Sequence, residues 1–577
     1  MMSITEHESL SRSLLIIDQA WTEMRDSPWV RRDLGLPIER LPDIGEAASL
    51  SRSEKAKSLL ARADGIDVAA LPKEIALTLG VARAALERMA KEGEWYWVVF
   101  DPLGVGFFAI FAPCSYGGGF LLNMVGQMLA QHRFDAAGDL DRYLGLIEDY
   151  GRMIGQMRER TEGQAARSIR MPKLQLDQSL ELVRRFAAQA ESALVPAAAR
   201  LGPVGGDRAL AQIAERVRTK VKPNFDALLA LLDDPAYRAA APDAVGIGQY
   251  PGGPAVYAEL VRQHTTLDLT PEQVHEEGLK RIAAVRAKMV ALLEEIDFDG
   301  TPEAYLESLA DDPDWRAEGD EAIGAVFHRY IDRIAPHIDD YFAFKPSAPH
   351  GVEPLPKALS GSMTFGYYDA PSADNPTGRY LFNADNLAGG PLANIAALNY
   401  HELVPGHHFH LASQRENKDL HPLRSYAFIN AFNEGWAEYA ATLAGEMGMY
   451  AEPAERFGRL VMDSFLTTRL VVDTGMNALG WCLEQARDYM RANAFMPETE
   501  IRSESLRYSC DIPGQSLAYK LGEYYLFERR EEMRAALGDS FDIRAFHDAV
   551  LMPGALPLTL VGNNVADATR TLAAKAA

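Results

Sequence analysis

The sequence predicts a mainly α-helical protein with one small β subdomain. Three observations lead there. Apolar residues recur at helical spacing through most of the 577 residues. Proline and glycine crowd into residues 345–392, around two short β-type runs. Composition changes most clearly near residues 235–255, dividing the chain into an N-terminal helical region, 1–240, and a C-terminal region, 241–577. An apolar fraction of 47% with 24% charged residues is that of an ordinary globular chain with ample core.

In chain order, residues 8–25, 54–63, 73–91, 123–166, 178–200 and 207–233 read as amphipathic helices rich in Ala, Leu, Arg and Glu. The most apolar stretch, 95–126, is interrupted by Asp101, Pro102 and several glycines. A membrane helix needs roughly 20 unbroken apolar residues, so this stretch is expected to form buried strands and turns. After the Pro/Gly cluster at 250–257, Thr270 is an N-cap, Pro271 fits the first helical position, and Gln273 completes a capping box. A helix over about 271–296 follows. The runs "MTFGYY" and "RYLFN" within 345–392 predict a small sheet, and from 393 to about 550 the chain is helical again.

A formal charge of −23 excludes the basic stripe that nucleic acid requires and disfavours adsorption to anionic lipid. Cys114, Cys482 and Cys510 are odd in number and scattered, which fits neither a disulfide framework nor a thiolate zinc cluster. The N-terminus has acidic residues near its start and only a short apolar run, unlike a secretory signal. A cytoplasmic location is expected, without nucleic-acid or membrane partners.

"NYHELVPGHHFH", residues 399–410, carries the chemistry. It opens as a zinc-binding His-Glu-x-x helix, yet Pro405 stands where the second His belongs. On a regular helix i+4 and i+7 share the face of i, and i+6 does not. His401 and His407 therefore meet one ion only if the helix is locally widened. Pro405 lacks an N–H and clashes with the carbonyl of His401, and Gly406 gives the backbone slack. His407 is favoured as second ligand. His408 is the alternative if the helix restarts cleanly. Glu402, beside the first ligand, is placed to take a proton from the attacking water and return it to a leaving amine. Some 30 residues on, Glu434 and Glu438 lie one helical turn apart. Glu434 is the expected third ligand, and Glu438 a partner that orients a histidine. The competing reading is a helix start with surface histidines and a solvated acidic face.

At these residues the sequence resembles the bacterial domain-of-unknown-function 885 family, regarded as zincin-like, gluzincin-type metallopeptidase relatives. The resemblance rests on "YPGGPAVYAELVRQHTTLDLTPEQVHEEGL" (250–279), "GRYLFNADNL" (378–387), "ALNYHELVPGHHFH" (397–410), "AFNEGWAEYA" (431–440), "RLVVDTGMNALGW" (469–481) and "RYSCDIPGQSLAYKLG" (507–522), in the family's order. It is strong over 245–530 and weaker over the N-terminal half. The family pattern His-Glu-x-x-Pro-Gly-His-His implies that the odd spacing is a family trait, with His407 as ligand. The family's Glu-Gly-Trp block matches Glu434. Many members carry His where this chain has Asn477, which bears on oxyanion stabilisation and on substrate class.

Tyr508, Tyr519, Gln515 and Arg507 are candidate donors to a developing oxyanion. Related helical metallopeptidases use late tyrosines, which favours Tyr519 and Tyr508. His264 reads as a structural hydrogen bonder, and "GRYLFNADN" as an edge strand that an extended peptide could join. "GVGFFA" at 104–109 lacks the helix and acidic residue of a dinucleotide site, and Ser516 in "GQSLA" lacks a nucleophile elbow's last Gly and preceding strand. The expectation is thus a two-lobed helical metallopeptidase-type cleft holding one divalent ion, most simply zinc, on His401, His407 and Glu434. Glu402 would be the general base in hydrolysis of short peptides or related amides. The alternatives are an amide hydrolase or tailoring enzyme acting on a small metabolite, and an inactive metal-containing module that binds peptides.

Overall fold

Helix boundaries follow the capping chemistry. Thr270 Oγ1 accepts from the Gln273 N–H at 3.3 Å, and the Gln273 side chain accepts from the Thr270 N–H at 2.9 Å, starting the helix Pro271–Glu295. The computed structural model describes residues 4–357, 365–373 and 375–576. Among them helices dominate, with one three-stranded sheet. None of these helices is long and apolar enough to cross a membrane.

Several elements depart from the periodicity. The run 123–166 is two helices, Phe120–Ala130 and Ala137–Ala166. Asp139 parts them by accepting the N–H groups of Asp135 at 2.9 Å and Ala136 at 2.8 Å, which caps the second helix. The run 207–233 carries a π-type turn at Val217–Val221 just before Pro223, which has no N–H to continue the ladder. The run 178–200 ends as an α-helix at Leu194, and the chain beyond 550 forms one more helix, Leu558–Ala576. The apolar stretch 95–126 is buried but forms no strand. It makes one antiparallel bridge, Phe100 to Ala109, then turns at Ser115–Gly119 into a helix. Its Ile110 N–H finds the Asp511 carbonyl at 2.9 Å, so its backbone is satisfied by a distant turn rather than a sheet.

The sheet has the order β1–β3–β2, with β1 (His350–Pro354) parallel and β2 (Gly366–Asp369) antiparallel to β3 (Gly378–Phe382). Met363 and Thr364 of the "MTFGYY" run lie outside the described residues. The strand expected at the edge, in 378–386, is the central one. Tyr380, Leu381 and Phe382 are buried, and strands pair on both sides of it. The edge facing the histidines is β2, whose Tyr368 ring stacks 6.4 Å from that of His407.

Two large apolar cores fill the molecule, the first reaching the sheet through Tyr380 and Phe382. One joins Ile16, Leu79 and Phe327 to Tyr400, Phe409, Trp436 and Val561. The other joins Phe108, Ile147, Phe225 and Tyr257 to Leu470 and Leu517. The helices Pro453–Asn477 and Ala518–Leu537 feed both, with Phe465 and Leu526 in the first and Leu470 and Leu521 in the second. Side chains on these two helices are therefore held from both sides.

Candidate metal centre

The chain breaks its helix between the two histidines instead of widening it. One helix, Ile395–Glu402, stops at Glu402, and another, His407–Glu416, starts at His407. The connection Leu403–Gly406 leaves helical geometry because Pro405 can neither donate to the ladder nor stack over the preceding turn. Its Val404–Pro405 peptide is cis. Gly406 is required here by proximity. A Cβ at this position would lie 1.9 Å from the His401 carbonyl oxygen, so only glycine lets the second helix start against the end of the first. The freed Pro405 carbonyl accepts from the Trp436 indole N–H at 2.9 Å, which pins the connection to the helix Asn430–Glu446.

That break brings the imidazoles of His401 and His407 edge to face, 4.8 Å between centroids. From the helix Asn430–Glu446, Glu434 Oε2 lies 3.8 Å from His401 Nε2 and 3.3 Å from His407 Nε2. One ligand atom of each residue falls within 4.8 Å of the other two, and all three residues are buried. Tetrahedral zinc with bonds of about 2.0–2.2 Å separates its ligand atoms by roughly 3.3–3.5 Å. The donor set and its spacing fit such an ion after a small contraction.

The surroundings prepare each ligand. His401 Nδ1 donates to Glu438 Oε1 at 2.8 Å, which leaves the Nε2 lone pair facing His407 and Glu434. Glu438 Oε2 accepts from Arg459 at 2.9 Å, with the Lys520 ammonium 3.9 Å away. Lys520 also bonds Asp463 at 2.5 Å and pairs with Glu523. Burial pushes the Glu438 carboxyl up, but Arg459, His401 and Lys520 overcome it and hold the group far below the carboxylate range. Burial likewise works upward on Glu434, and His407, His401 and Arg507 outweigh it, so this carboxyl too sits low. Half-buried Glu402, next to His401, goes the other way. Burial raises it, the negative Glu434 and Glu438 add to the rise, and the two histidines only partly offset it. His407 Nδ1 is 3.3 Å from Nε2 of buried His410, which burial and its histidine neighbours keep neutral.

His408 points elsewhere. Its Nδ1 is 2.8 Å from the Tyr368 hydroxyl and its Nε2 is 3.2 Å from the Ala348 carbonyl. Burial, with the charge of His350 adding, lowers it to about 3. It ties the second helix to the sheet.

Tyr519 lies against the centre, its ring stacked 6.1 Å from that of His401. Two glycines allow this approach. A Cβ on Gly435 would come within 2.5 Å of Gly522 Cα, so the helices Asn430–Glu446 and Ala518–Leu537 cross backbone to backbone beside Glu434. Tyr508 is fully buried, and its hydroxyl is taken up by Glu504 and by Arg469 Nε at 2.7 Å. Asn477 is also committed. Its Nδ2 donates to Asp473 Oδ1 at 3.0 Å and to the Tyr508 carbonyl at 3.0 Å, and its Oδ1 accepts from the Ile247 N–H at 2.9 Å. Gln515 Oε1 accepts from Arg507 at 2.8 Å, while its Nε2 reaches Asn430 at 3.3 Å. His264 is buried 3.3 Å from the Asn430 amide, and Ser516 donates to Asp473 at 2.7 Å.

Sequence reasoning missed Arg459, Lys520, Asp463, His410 and Tyr368. Of these, His410 and Tyr368 lie inside the quoted runs "NYHELVPGHHFH" and "MTFGYY", and Lys520 is a charge in the otherwise apolar run "SLAYKLG".

A search of curated proteins finds no match to the chain. Two solved structures share the fold. One, from Colwellia psychrerythraea and described as a "putative lipoprotein", is 24% identical with a TM-score of 0.86, covering 98% of this chain and 100% of that one. The other, from Shewanella oneidensis and described as a "putative lipoprotein of unknown function", is 17% identical with a TM-score of 0.70, covering 96% and 99%. Residues 28–565 match the family described as "Bacterial protein of unknown function (DUF885)", and across that span, sheet, broken helix and histidine cluster included, the chain belongs to the DUF885 family.

Proposed function

We propose that the chain is a zinc-dependent hydrolase of short peptides or related amides, built as the two-lobed helical cleft of a gluzincin-type metallopeptidase. One observation supports this above all. Two imidazole nitrogens and a carboxylate oxygen converge within 4.8 Å, with the tautomer of His401 fixed by Glu438. His401, His407 and Glu434 would hold the zinc, which would supply Lewis acidity toward the scissile carbonyl and the attacking water. Glu402 takes a proton from that water at its carboxylate and delivers it to the leaving nitrogen. The C–N bond breaks, the hydroxyl goes to the carbonyl carbon and the hydrogen to the amine. A carboxyl whose affinity for protons is raised by burial suits both halves of that exchange. Tyr519, half-buried beside His401, offers a hydroxyl to the developing oxyanion. Tyr508, with its hydroxyl already bonded, does not. Strand β2, an outer strand of the sheet among the described residues, offers its edge to an extended substrate backbone beside His407.

The test is elemental analysis of the wild-type protein beside His407→Ala and His408→Ala, followed by Glu402→Gln against a short-peptide library. One equivalent of zinc, lost in His407→Ala alone, and turnover abolished in Glu402→Gln with binding retained are the expected results. A wild type that takes up no zinc sinks the reading. Three free thiols support a cytoplasmic location. The description of both solved relatives as lipoproteins supports the cell envelope instead. Fractionation of expressing cells decides between them.

A further inference from the structure

Behind Tyr519 two buried guanidiniums hydrogen-bond to a single carboxylate. The Arg469 guanidinium lies 4.9 Å from the Tyr519 ring centre, and Arg507, from the turn Arg507–Asp511, stacks 4.8 Å from that of Tyr116. Both arginines share one carboxylate. Glu504 accepts from Arg469 Nη2 at 3.0 Å and from Arg507 Nη1 at a long 3.4 Å. Their remaining bonds go to neutral oxygens, the Tyr508 hydroxyl for Arg469 and Gln515 Oε1 for Arg507. Asp511, the next carboxyl along, accepts from the Tyr116 N–H and from Gln175. Among the described residues, Arg469 Nη1 and Arg507 Nε are buried without a hydrogen-bond partner. A buried guanidinium whose donors are unused is costly unless an anion completes it. Arg469 is sealed, with 5% of its side chain exposed, whereas Arg507 keeps 13%, close to the 11% of His401 and Glu434 and the 12% of His407.

The same ring links this pair to the metal centre. Tyr519 stands 6.1 Å from the His401 imidazole on one contact and 4.9 Å from Arg469 on the other. An extended peptide advances about 3.3–3.6 Å per residue, so Arg469, and Arg507 beside it on Glu504, lie within about three residues of His401.

We infer that Arg507, backed by Arg469, binds a carboxylate of the substrate within about three residues of the bond that is cut. This rests on the hydrolase reading and narrows its substrates to short peptides ending in a free α-carboxylate, or carrying an acidic side chain at that distance. A structural ion cluster alone would need no unused guanidinium donors at its accessible end. A planar fork suits a carboxylate better than a point charge does.

The experiment is calorimetric binding to the Glu402→Gln protein, with zinc present and after chelation. The probes are N-acetyl-trialanine as the free acid, its C-terminal amide, and an amidated analogue with an internal glutamate. The free acid should bind at least about tenfold tighter than the amide. Arg507→Gln should bring the acid down to the amide, and Arg507→Lys should recover part of the difference. Preference for the internal-glutamate amide supports the carboxylate site and assigns it to a side chain. Equal binding of all three probes overturns the inference, and that comparison needs no arginine variant to fold. Wild-type protein that hydrolyses none of them while Glu402→Gln still separates acid from amide would sink the hydrolase reading and leave the carboxylate site standing.

Discussion

Glu438 and Asp473 are both buried carboxyls, and their surroundings treat them in opposite ways. Glu438 faces Arg459 and Lys520, inside a cluster that also holds Asp463 and Glu523. Asp473 meets only neutral donors: the Tyr257 hydroxyl at 2.8 Å, the Gly514 N–H at 3.0 Å, the Ser516 hydroxyl at 2.7 Å and the Asn477 amide at 3.0 Å. Burial raises a carboxyl in either setting. At Asp473 the neutral donors offset that rise only in part, and the carboxyl stays up at about 6. At Glu438 the cations reverse it. The lesson is one of purpose. Glu438 must stay an anion to fix the tautomer of His401. Asp473 need only knot together the Tyr257, Asn477 and Gly514 segments, and neutral donors suffice for that.

The largest effect should come from Glu438→Ala, which strips His401 of its acceptor and leaves Arg459 and Lys520 short of a counter-charge. Breaking such a buried cluster costs about 3–5 kcal/mol, and losing the partner of a ligand histidine lowers metal affinity about 10–100-fold. Urea unfolding and zinc competition against a chelator read the two separately. Lower stability with unchanged zinc affinity would erase the distinction drawn here.

Asp473→Asn should cost less, about 1–3 kcal/mol for donors left without their acceptor, and should leave zinc affinity alone. It should also change the pH profile. Folded Asp473 titrates near 6, against about 3.9 in an unfolded chain. Between those values the folded state keeps a proton that the unfolded state has lost. Its contribution is therefore full below about pH 4 and fades as the pH rises through about 6. Chemical unfolding across that window should show this fall in the wild type and not in Asp473→Asn. The same fall in both proteins would assign it to another group.

The smallest effect belongs to His408→Ala. It removes bonds to Tyr368 and Ala348, worth about 1 kcal/mol each, and should leave zinc content untouched. Loss of the metal in this variant would transfer the ligand role from His407 and dissolve the contrast between the two neighbouring histidines.

What the sequence reveals of this site depends on how locally it is encoded. Pro405 and Gly406 announce an interruption between His401 and His407, because a missing N–H and a missing Cβ act within one turn of chain. They do not say whether the helix bulges or breaks. That choice is made by Trp436, whose indole holds the Pro405 carbonyl from another helix. Glu434 and Glu438 are legible as a pair because i and i+4 share a face. Arg459 and Lys520 are not, since their roles exist only once Pro453–Asn477 and Ala518–Leu537 pack around Glu438. The mainly helical fold and the Thr270 cap follow from periodicity and local hydrogen bonding. The order β1–β3–β2 does not, because strand order is a property of pairing between segments. For the same reason residues 378–382 read as an edge while lying at the centre.

Glu434, Gly435 and Trp436 are consecutive, and a helix turns about 100° per residue. The three therefore address three different walls: the His401 and His407 imidazoles, the Gly522 backbone and the Pro405 carbonyl. This tripeptide works as a single machined bracket, with one tolerance shared among its faces. A methyl added at Gly435 would wedge the two helices apart and carry the Glu434 carboxylate with them. An engineer wishing to alter the surroundings of the histidine cluster should cut elsewhere, along β2 or around Arg507, and leave these three residues as the datum from which the rest is measured.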